Sequence, residues 1–238
     1  MKIEVLYPEL TNIYGDLGNI QYLQKVASNV EIIYTSINEE PKFIKDKIDM
    51  VYLGSMPEVH QELIIKKLLK HKKKIQELIE KDVIFLITGS AYEIIGDYIE
   101  EEGKKIKALG LFDLYFKRDY EHRHNSFYVG VFENEKLVGN KSQFTFAYGK
   151  NKYPFLNTTV GVGDNMEEKK EGVHYKNFFA TYLLGPILPL NPNFTKYLLG
   201  LKGIKKELKF EKEAFDAHNL QVELLEKPDA QVILGDHY

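Results

Sequence analysis

The chain has 238 residues, 44% of them hydrophobic, with 17 Gly and 8 Pro, so it can bury a sizeable core as one domain, or one domain with a lobe, and is too apolar for disorder. A formal net charge of −3 gives no overall pull toward nucleic acid or anionic lipid. The absence of cysteine excludes disulfides, thiolate metal sites and a cysteine nucleophile in one step.

Met1-Lys-Ile-Glu-Val enters a strand directly, without a basic-then-apolar leader, and no apolar run approaches the ~20 residues that cross a bilayer. A cytoplasmic protein with no membrane span is expected. The strand over Lys2 to Tyr7 leads into Tyr7-Pro-Glu-Leu-Thr-Asn-Ile-Tyr-Gly-Asp-Leu-Gly-Asn19, dense in Pro, Gly, Asn and Asp, and then into helical residues from Ile20 to Val26. Polar residues at the carboxyl end of a first strand stand where open α/β sheets bind ligands. Asn and Asp also satisfy their own backbone in turns, so a self-capped loop is the competing reading.

Val30 to Thr35 reads as a second strand, Pro41 to Asp46 as a short helix, and Asp49 to Gly54 as a third strand. After Ser-Met-Pro-Glu-Val-His-Gln61 a long helix is expected, with Ile64, Leu68, Ile75 and Ile79 in one buried stripe. Its Lys66 to Lys74 stretch reads as a solvated face, and the lone His60 as a surface or capping residue. Val83-Ile-Phe-Leu-Ile-Thr is apolar on both faces, as a central strand of a parallel sheet is. It breaks at Gly89-Ser-Ala, where small residues permit the sharp strand-to-helix turn on which α/β enzymes hold a nucleophile. This alternation predicts a doubly wound sheet with right-handed crossovers.

The second half changes pattern. Phe127 to Phe132 and Leu137 to Gly139 read as a hairpin turning at Glu133 to Lys136, with further antiparallel strands over Phe144 to Tyr148 and Thr158 to Val162. Arg118-Asp-Tyr-Glu-His-Arg-His-Asn125 reads as an exposed polar loop, because a His-x-His pair without Cys or H-E-x-x-H spacing is a weak metal signal. No cofactor or metal is called for. Phe178 to Gly185 is another apolar strand; Pro189-Leu-Asn-Pro-Asn193 caps a helix from Phe194 to about Leu201. Lys205 to Leu225 is amphipathic, a surface helix or pair, and Gln231 to Tyr238 is unplaced. The division expected is 1–204 as one domain and 205–238 as a helical extension packed on it.

Leu6-Tyr-Pro-Glu-Leu-Thr-Asn-Ile-Tyr-Gly-Asp-Leu-Gly-Asn-Ile20, Tyr92-Glu-Ile-Ile-Gly96, Gly161-Val-Gly-Asp-Asn165 and the run from Gly172 to Pro192 resemble the cobyric-acid-synthase-like class I glutamine amidotransferases. Within that family the chain looks like the branch of the amidotransferase subunit of lipid II isoglutaminyl synthase. The resemblance implies a flavodoxin-like three-layer α/β/α sandwich with antiparallel hairpin additions, and docking on a Mur-ligase-like ATP-dependent synthetase. It also implies a pocket for glutamine or another small amino-acid-like ligand, formed by Asn12, Tyr14, Asp16, Asn19, Gly54, Ser55, Met56, Ser90 and Tyr92. The family nucleophile, a Cys at the elbow, aligns with Gly89, and its His with Leu184 in Ala180-Thr-Tyr-Leu-Leu-Gly-Pro186. The family's Gly-Gly-Gly-Gln-Asp loop reads Gly54-Ser-Met-Pro-Glu58, in which Pro57 donates no N–H. The expected function is a catalytically inactive structural, regulatory or binding partner of that synthetase. The competing expectation is an active amidotransferase, in cell-wall lipid II amidation or cobyric acid amidation, or a hydrolase with relocated chemistry, for which Ser90 is the alternative nucleophile.

Overall fold

The computed structural model describes residues 1–204 and 207–234. Strands β1 (Lys2–Leu6), β2 (Glu31–Thr35), β3 (Met50–Leu53) and β4 (Ile84–Thr88) alternate with α1 (Leu17–Val26), a 3₁₀ turn at Lys42–Ile44, α2 (Glu58–Leu69) and α3 (Lys72–Glu80). A 3₁₀ segment, Gly89–Ile95, follows β4. Then come β5 (Tyr98–Glu101), β6 (Lys104–Lys107), β7 (Leu114–Arg118), β8 (His124–Phe132), β9 (Glu135–Gln143), β10 (Thr145–Gly149), β11 (Pro154–Val160), β12 (Lys170–Tyr175) and β13 (Phe178–Thr181). The last elements are α4 (Ile187–Leu190), α5 (Pro192–Gly200) and α6 (Glu211–Leu225).

The large sheet runs β2-β1-β3-β4-β13-β12-β11-β8-β9. Its first five strands are parallel and the rest antiparallel, so β4 lies between β3 and β13 with both faces covered, which its unbroken apolar sequence requires. One apolar layer, with Ile64, Leu68, Ile75 and Ile79, packs under α2 and α3; the other, with Ile20, Leu23, Phe194 and Leu198, packs under α1 and α5. This is the three-layer architecture expected. Helix α6 lies against α4 and α5, where His218 Nδ1 is 2.8 Å from the Leu190 carbonyl oxygen and Lys196 pairs with Glu211 at 2.6 Å. Residues 205–206 of the expected extension and 235–238 of the tail lie outside the described residues; Val232 to Leu234 bond to β8 through the Phe127 N–H and Asn125 carbonyl. No helix among the described residues is long and apolar enough to cross a membrane.

Four details depart from the sequence reading. The long helix is two, broken at Lys70–His71, where His71 turns toward Glu40 at 2.9 Å and sets its ring edge-on to Phe43. The turn after Gly89 winds as 3₁₀ rather than α, with Ala91, Tyr92, Ile94 and Ile95 all buried, so no polar face is left for an amphipathic helix. A second sheet, β10-β7-β5-β6, adds three strands within residues 98 to 118, where none was expected, to β10, which falls on the strand expected over Phe144 to Tyr148; its Glu102-Gly103 hairpin turn has positive φ at both positions. The Arg118 to Asn125 stretch is not wholly exposed: Arg118 and His124 end strands and are buried, whereas His122 is exposed, so the two histidines face different surroundings.

Candidate functional site at the end of β4

Gly89 follows β4 with φ +61°, a left-handed conformation that a side chain adopts only with strain. The position is buried, and a Cβ placed on it would lie 1.7 Å from Ser55 Oγ and 2.8 Å from Leu184 Cδ2. The space a nucleophile would use at this elbow therefore holds a serine hydroxyl and a leucine methyl. Leu184 is 4% exposed, and its backbone is clamped to β9: its N–H donates to the Asn140 carbonyl at 2.9 Å, and its carbonyl accepts from the Asn140 N–H at 3.2 Å.

The loop after β3 is equally committed. The Ser55 N–H donates to Asp16 Oδ1 at 2.9 Å, and the Met56 N–H donates to Ser90 Oγ at 2.9 Å. Pro57 has no N–H to give. Ser90 in turn donates its hydroxyl to the Met56 carbonyl at 2.6 Å, so its oxygen is bonded twice to one residue's backbone. Gly54 is needed because a Cβ there would sit 2.4 Å from the Thr11 carbonyl oxygen and 2.6 Å from Asp16 Cβ.

Asp16, from the loop after β1, is 3% exposed and ties these elements together. Besides Ser55 it accepts from Thr88 Oγ1 at 3.2 Å and from the Tyr14 N–H at 3.1 Å. Burial raises its pKa despite these donors. Asn19 reaches out of α1 in both directions, donating to Tyr52 Oη at 2.9 Å and accepting the Leu188 N–H at 2.9 Å. Asn12 stays local, its Oδ1 accepting the Leu17 N–H at 2.9 Å, and Tyr14 Oη accepts from Arg123 Nη2 at 2.7 Å. So hydrogen bonds draw Asp16, Ser55, Met56 and Ser90 together, with Gly54 packed on Asp16 and Asn19 linked through Tyr52, whereas Asn12 bonds within its own loop, the Tyr14 hydroxyl turns to Arg123, and Tyr92 lies apart. It is fully buried on the other side of the turn, edge-on to Phe116 and Tyr182, and donates its hydroxyl to Asp164 Oδ1 at 3.1 Å.

That far side holds buried charges the sequence reading missed. Lys141, with no exposed side-chain surface, donates to the Gly163 carbonyl at 2.8 Å and lies 3.6 Å from Glu171, over the rings of Tyr128 and Tyr182. Glu171 accepts from Thr181 Oγ1 and the Tyr182 N–H, both at 2.8 Å. Asp164 accepts from the Gly172 N–H at 2.9 Å; burial, then the neighbouring Glu171, push its pKa up to about 7. Nearby, Arg118 Nη2 pairs with Glu93 at 2.7 Å and also contacts Gln61 and Glu101, joining the small sheet to the 3₁₀ segment and α2. The only sequence signal was the Gly161 to Asn165 motif, since β9 carries one lysine exposed, Lys136, and one buried, Lys141, and nothing local tells them apart.

Residues 2–192 match the model of the CobB/CobQ-like glutamine amidotransferase domain. The chain belongs to that family. It is 33% identical over 211 residues to the lipid II isoglutaminyl synthase (glutamine-hydrolyzing) subunit GatD of Staphylococcus aureus, covering 86% of this chain and 85% of that protein. The corresponding subunit of Streptococcus pneumoniae is 31% identical over 221 residues, covering 87% and 82%. Among solved structures, a glutamine amidotransferase from Thermotoga maritima superposes with a TM-score of 0.50 at 12% identity, over 95% of this chain and 90% of that one. A second glutamine amidotransferase gives 0.56 at 11% identity, over 84% and 99%. These two support the fold alone; within the family, the slot at Gly89 is the feature to explain.

Proposed function

We propose that this chain is a non-hydrolysing amidotransferase subunit: it keeps the scaffold that docks on an ATP-dependent, Mur-ligase-like synthetase and no longer cuts glutamine. Hydrolysis breaks the C–N bond of the glutamine amide and releases ammonia, and needs a nucleophile, a base to take its proton and donors for the developing oxyanion. The observation that carries the reading is the filled elbow, where a Cβ on Gly89 would meet Ser55 Oγ at 1.7 Å. Leu184 supplies no base, and the Ser55 and Met56 N–H groups are spent on Asp16 and Ser90. Losing a nucleophile and base that act as a unit costs roughly a millionfold in turnover. Ser90 is a poor substitute, because its hydroxyl already donates to the Met56 carbonyl at 2.6 Å.

On this reading the cluster of Asn12, Tyr14, Asp16, Asn19, Gly54, Ser55, Met56 and Ser90 holds three loops in register rather than gripping glutamine. The unit that carries the function is residues 1–204, with the later segment as an extension, and an ATP-dependent partner places the pair in the cytoplasm. The relatives are named as subunits acting on lipid II, so the test is reconstitution with the protein's own ligase partner on a lipid II acceptor. Amidation is expected with ammonium salts and not with glutamine. Glutamine-supported amidation that disappears in Ser90→Ala would overturn the reading.

A further inference from the structure

Helices α2 and α3 carry a surface that the site does not use. Between Lys66 and Lys74 the sequence has six lysines and no acid. Among the described residues none of Lys66, Lys67, Lys70, Lys72, Lys73 and Lys74 is in an ion pair; in that stretch only His71 has one, with Glu40. Glu62 and Glu77 each stand one helical turn from a lysine, yet neither closes on it. In a protein of net charge −3, with most other surface cations interspersed with acids, this is a concentrated positive patch.

The same outward face is apolar at its start. Val59 is 80% exposed and Leu63 44% exposed, and with Lys66 and Lys70 they follow the spacing that puts side chains on one side of a helix. The inward face of α2, with Gln61, Ile64, Ile65 and Leu68, is buried, so the outward stripe is not a core misplaced. We infer that the outward face of α2 and α3 seats the protein on an anionic lipid bilayer, lysines on the headgroups and Val59 and Leu63 in the interface.

Two observations favour a bilayer over the other anionic partners such a patch attracts. Exposed aliphatic side chains beside lysines gain nothing from a phosphodiester backbone, whereas the membrane interface takes both. Residues 58–80 also contain no Phe, Tyr or Trp, so the face lacks the stacking groups with which single-stranded nucleic acid is held. Overall charge does not oppose the attraction, because fields are screened within about 8–10 Å at physiological salt and the membrane sees the nearest charges. Each lysine brought to an anionic surface strengthens binding by roughly fivefold. Helix α2 begins directly after Pro57, so a bilayer on this face would lie beside the crevice at Gly89. The inference deepens the functional reading above, in that a partner working on a lipid-linked acceptor operates at a membrane.

The test is co-sedimentation of the full-length protein with vesicles of equal parts phosphatidylglycerol and phosphatidylcholine, against pure phosphatidylcholine vesicles, without any ligase. Binding only to the anionic vesicles, weakening as salt rises, is expected. The triple variant Lys66→Glu, Lys70→Glu, Lys73→Glu should weaken it by roughly a hundredfold or more, and Val59→Ser with Leu63→Ser should weaken it without changing its salt dependence. A control of equal charge change elsewhere, Lys25→Glu, Lys104→Glu, Lys107→Glu, should lose far less. No sedimentation at low salt, equal loss in control and patch variants, or tighter binding to a single-stranded oligonucleotide or to polyglutamate than to the anionic vesicles would each overturn the inference. Because no glutamine, ammonia or ligase enters the assay, its failure leaves the non-hydrolysing reading standing, and the failure of that reading leaves the vesicle result unchanged.

Discussion

The two sides of the Gly89–Ile95 segment make opposite use of polar groups. On the crevice side, between β3, β4 and Leu184, one buried carboxylate, Asp16, collects the Ser55 N–H and the Thr88 hydroxyl, Ser90 bonds to the Met56 backbone, the elbow has no side chain, and a leucine packs over it. On the other side, Lys141, Glu171, Asp164, Glu93 and Arg118 keep charges buried where the two sheets meet. Burying charge is costly unless each group is paired, so such clusters survive only with their full set of partners. The difference teaches that paired opposite charges are buried in the joint between the sheets, while the crevice at Gly89 buries one carboxylate among hydroxyls and backbone groups. The variants below probe the two sides separately.

The largest effect is expected in the joint. Arg118→Met leaves Glu93 buried without its cation and should cost about 3–5 kcal/mol in denaturant unfolding. Adding Glu93→Gln should recover part of that cost, because the stranded charge is removed; strict additivity of the two changes would mean that the pair is not coupled. On the crevice side, Gly89→Cys should cost about 2–4 kcal/mol, combining strain at positive φ with overpacking against Ser55. Ser55→Gly in the same background should restore part of it, and no recovery would show that the hydroxyl is not the obstacle.

A smaller loss, about 1–3 kcal/mol, is expected for Ser90→Ala, which strips partners from the Met56 N–H and carbonyl together. An unchanged midpoint would mean that the loop does not depend on this bond and that the hydroxyl is free for other work.

The smallest effects are slopes in pH. Asp164 has a folded pKa raised to about 7 from 3.8, so its contribution to stability is full at low pH and lost as pH climbs between those values. His124 is the reverse: burial, then Lys141, lower it to about 4 from 6.5, so its contribution is full above that range and lost as pH falls through it. Relative to wild type, Asp164→Asn should gain stability as pH rises from 4 to 7, and His124→Asn as pH falls from 6.5 to 4. Urea midpoints across that range check both, and parallel profiles for the two variants would contradict the assignment.

The parallel half of the fold was legible because its strands are continuous apolar runs punctuated by Gly and polar loops, and the elbow because Gly89-Ser-Ala follows such a run. Asp16 and Asn19 were legible as a cluster but not in their partners, since Thr88 and Leu188 are far away in sequence and only the parallel pairing brings them close. Of the small sheet, the strand over Phe144 to Tyr148 was legible, but the β5–β6 hairpin was missed because Tyr98-Ile-Glu-Glu and Lys104-Lys-Ile-Lys bury little on one face and bear charge on the other. Arg118, Lys141 and Glu171 were not found because a charged residue in sequence is read as surface, and only packing shows that each is enclosed with its counterpart.

The most direct measurement is ammonia release from glutamine by the purified protein, alone and with its ligase partner, beside Ser90→Ala prepared identically. The sealed elbow predicts no release above the Ser90→Ala background in either state. Turnover by the wild type that is abolished in Ser90→Ala would contradict it, and would place a working nucleophile one residue beyond Gly89.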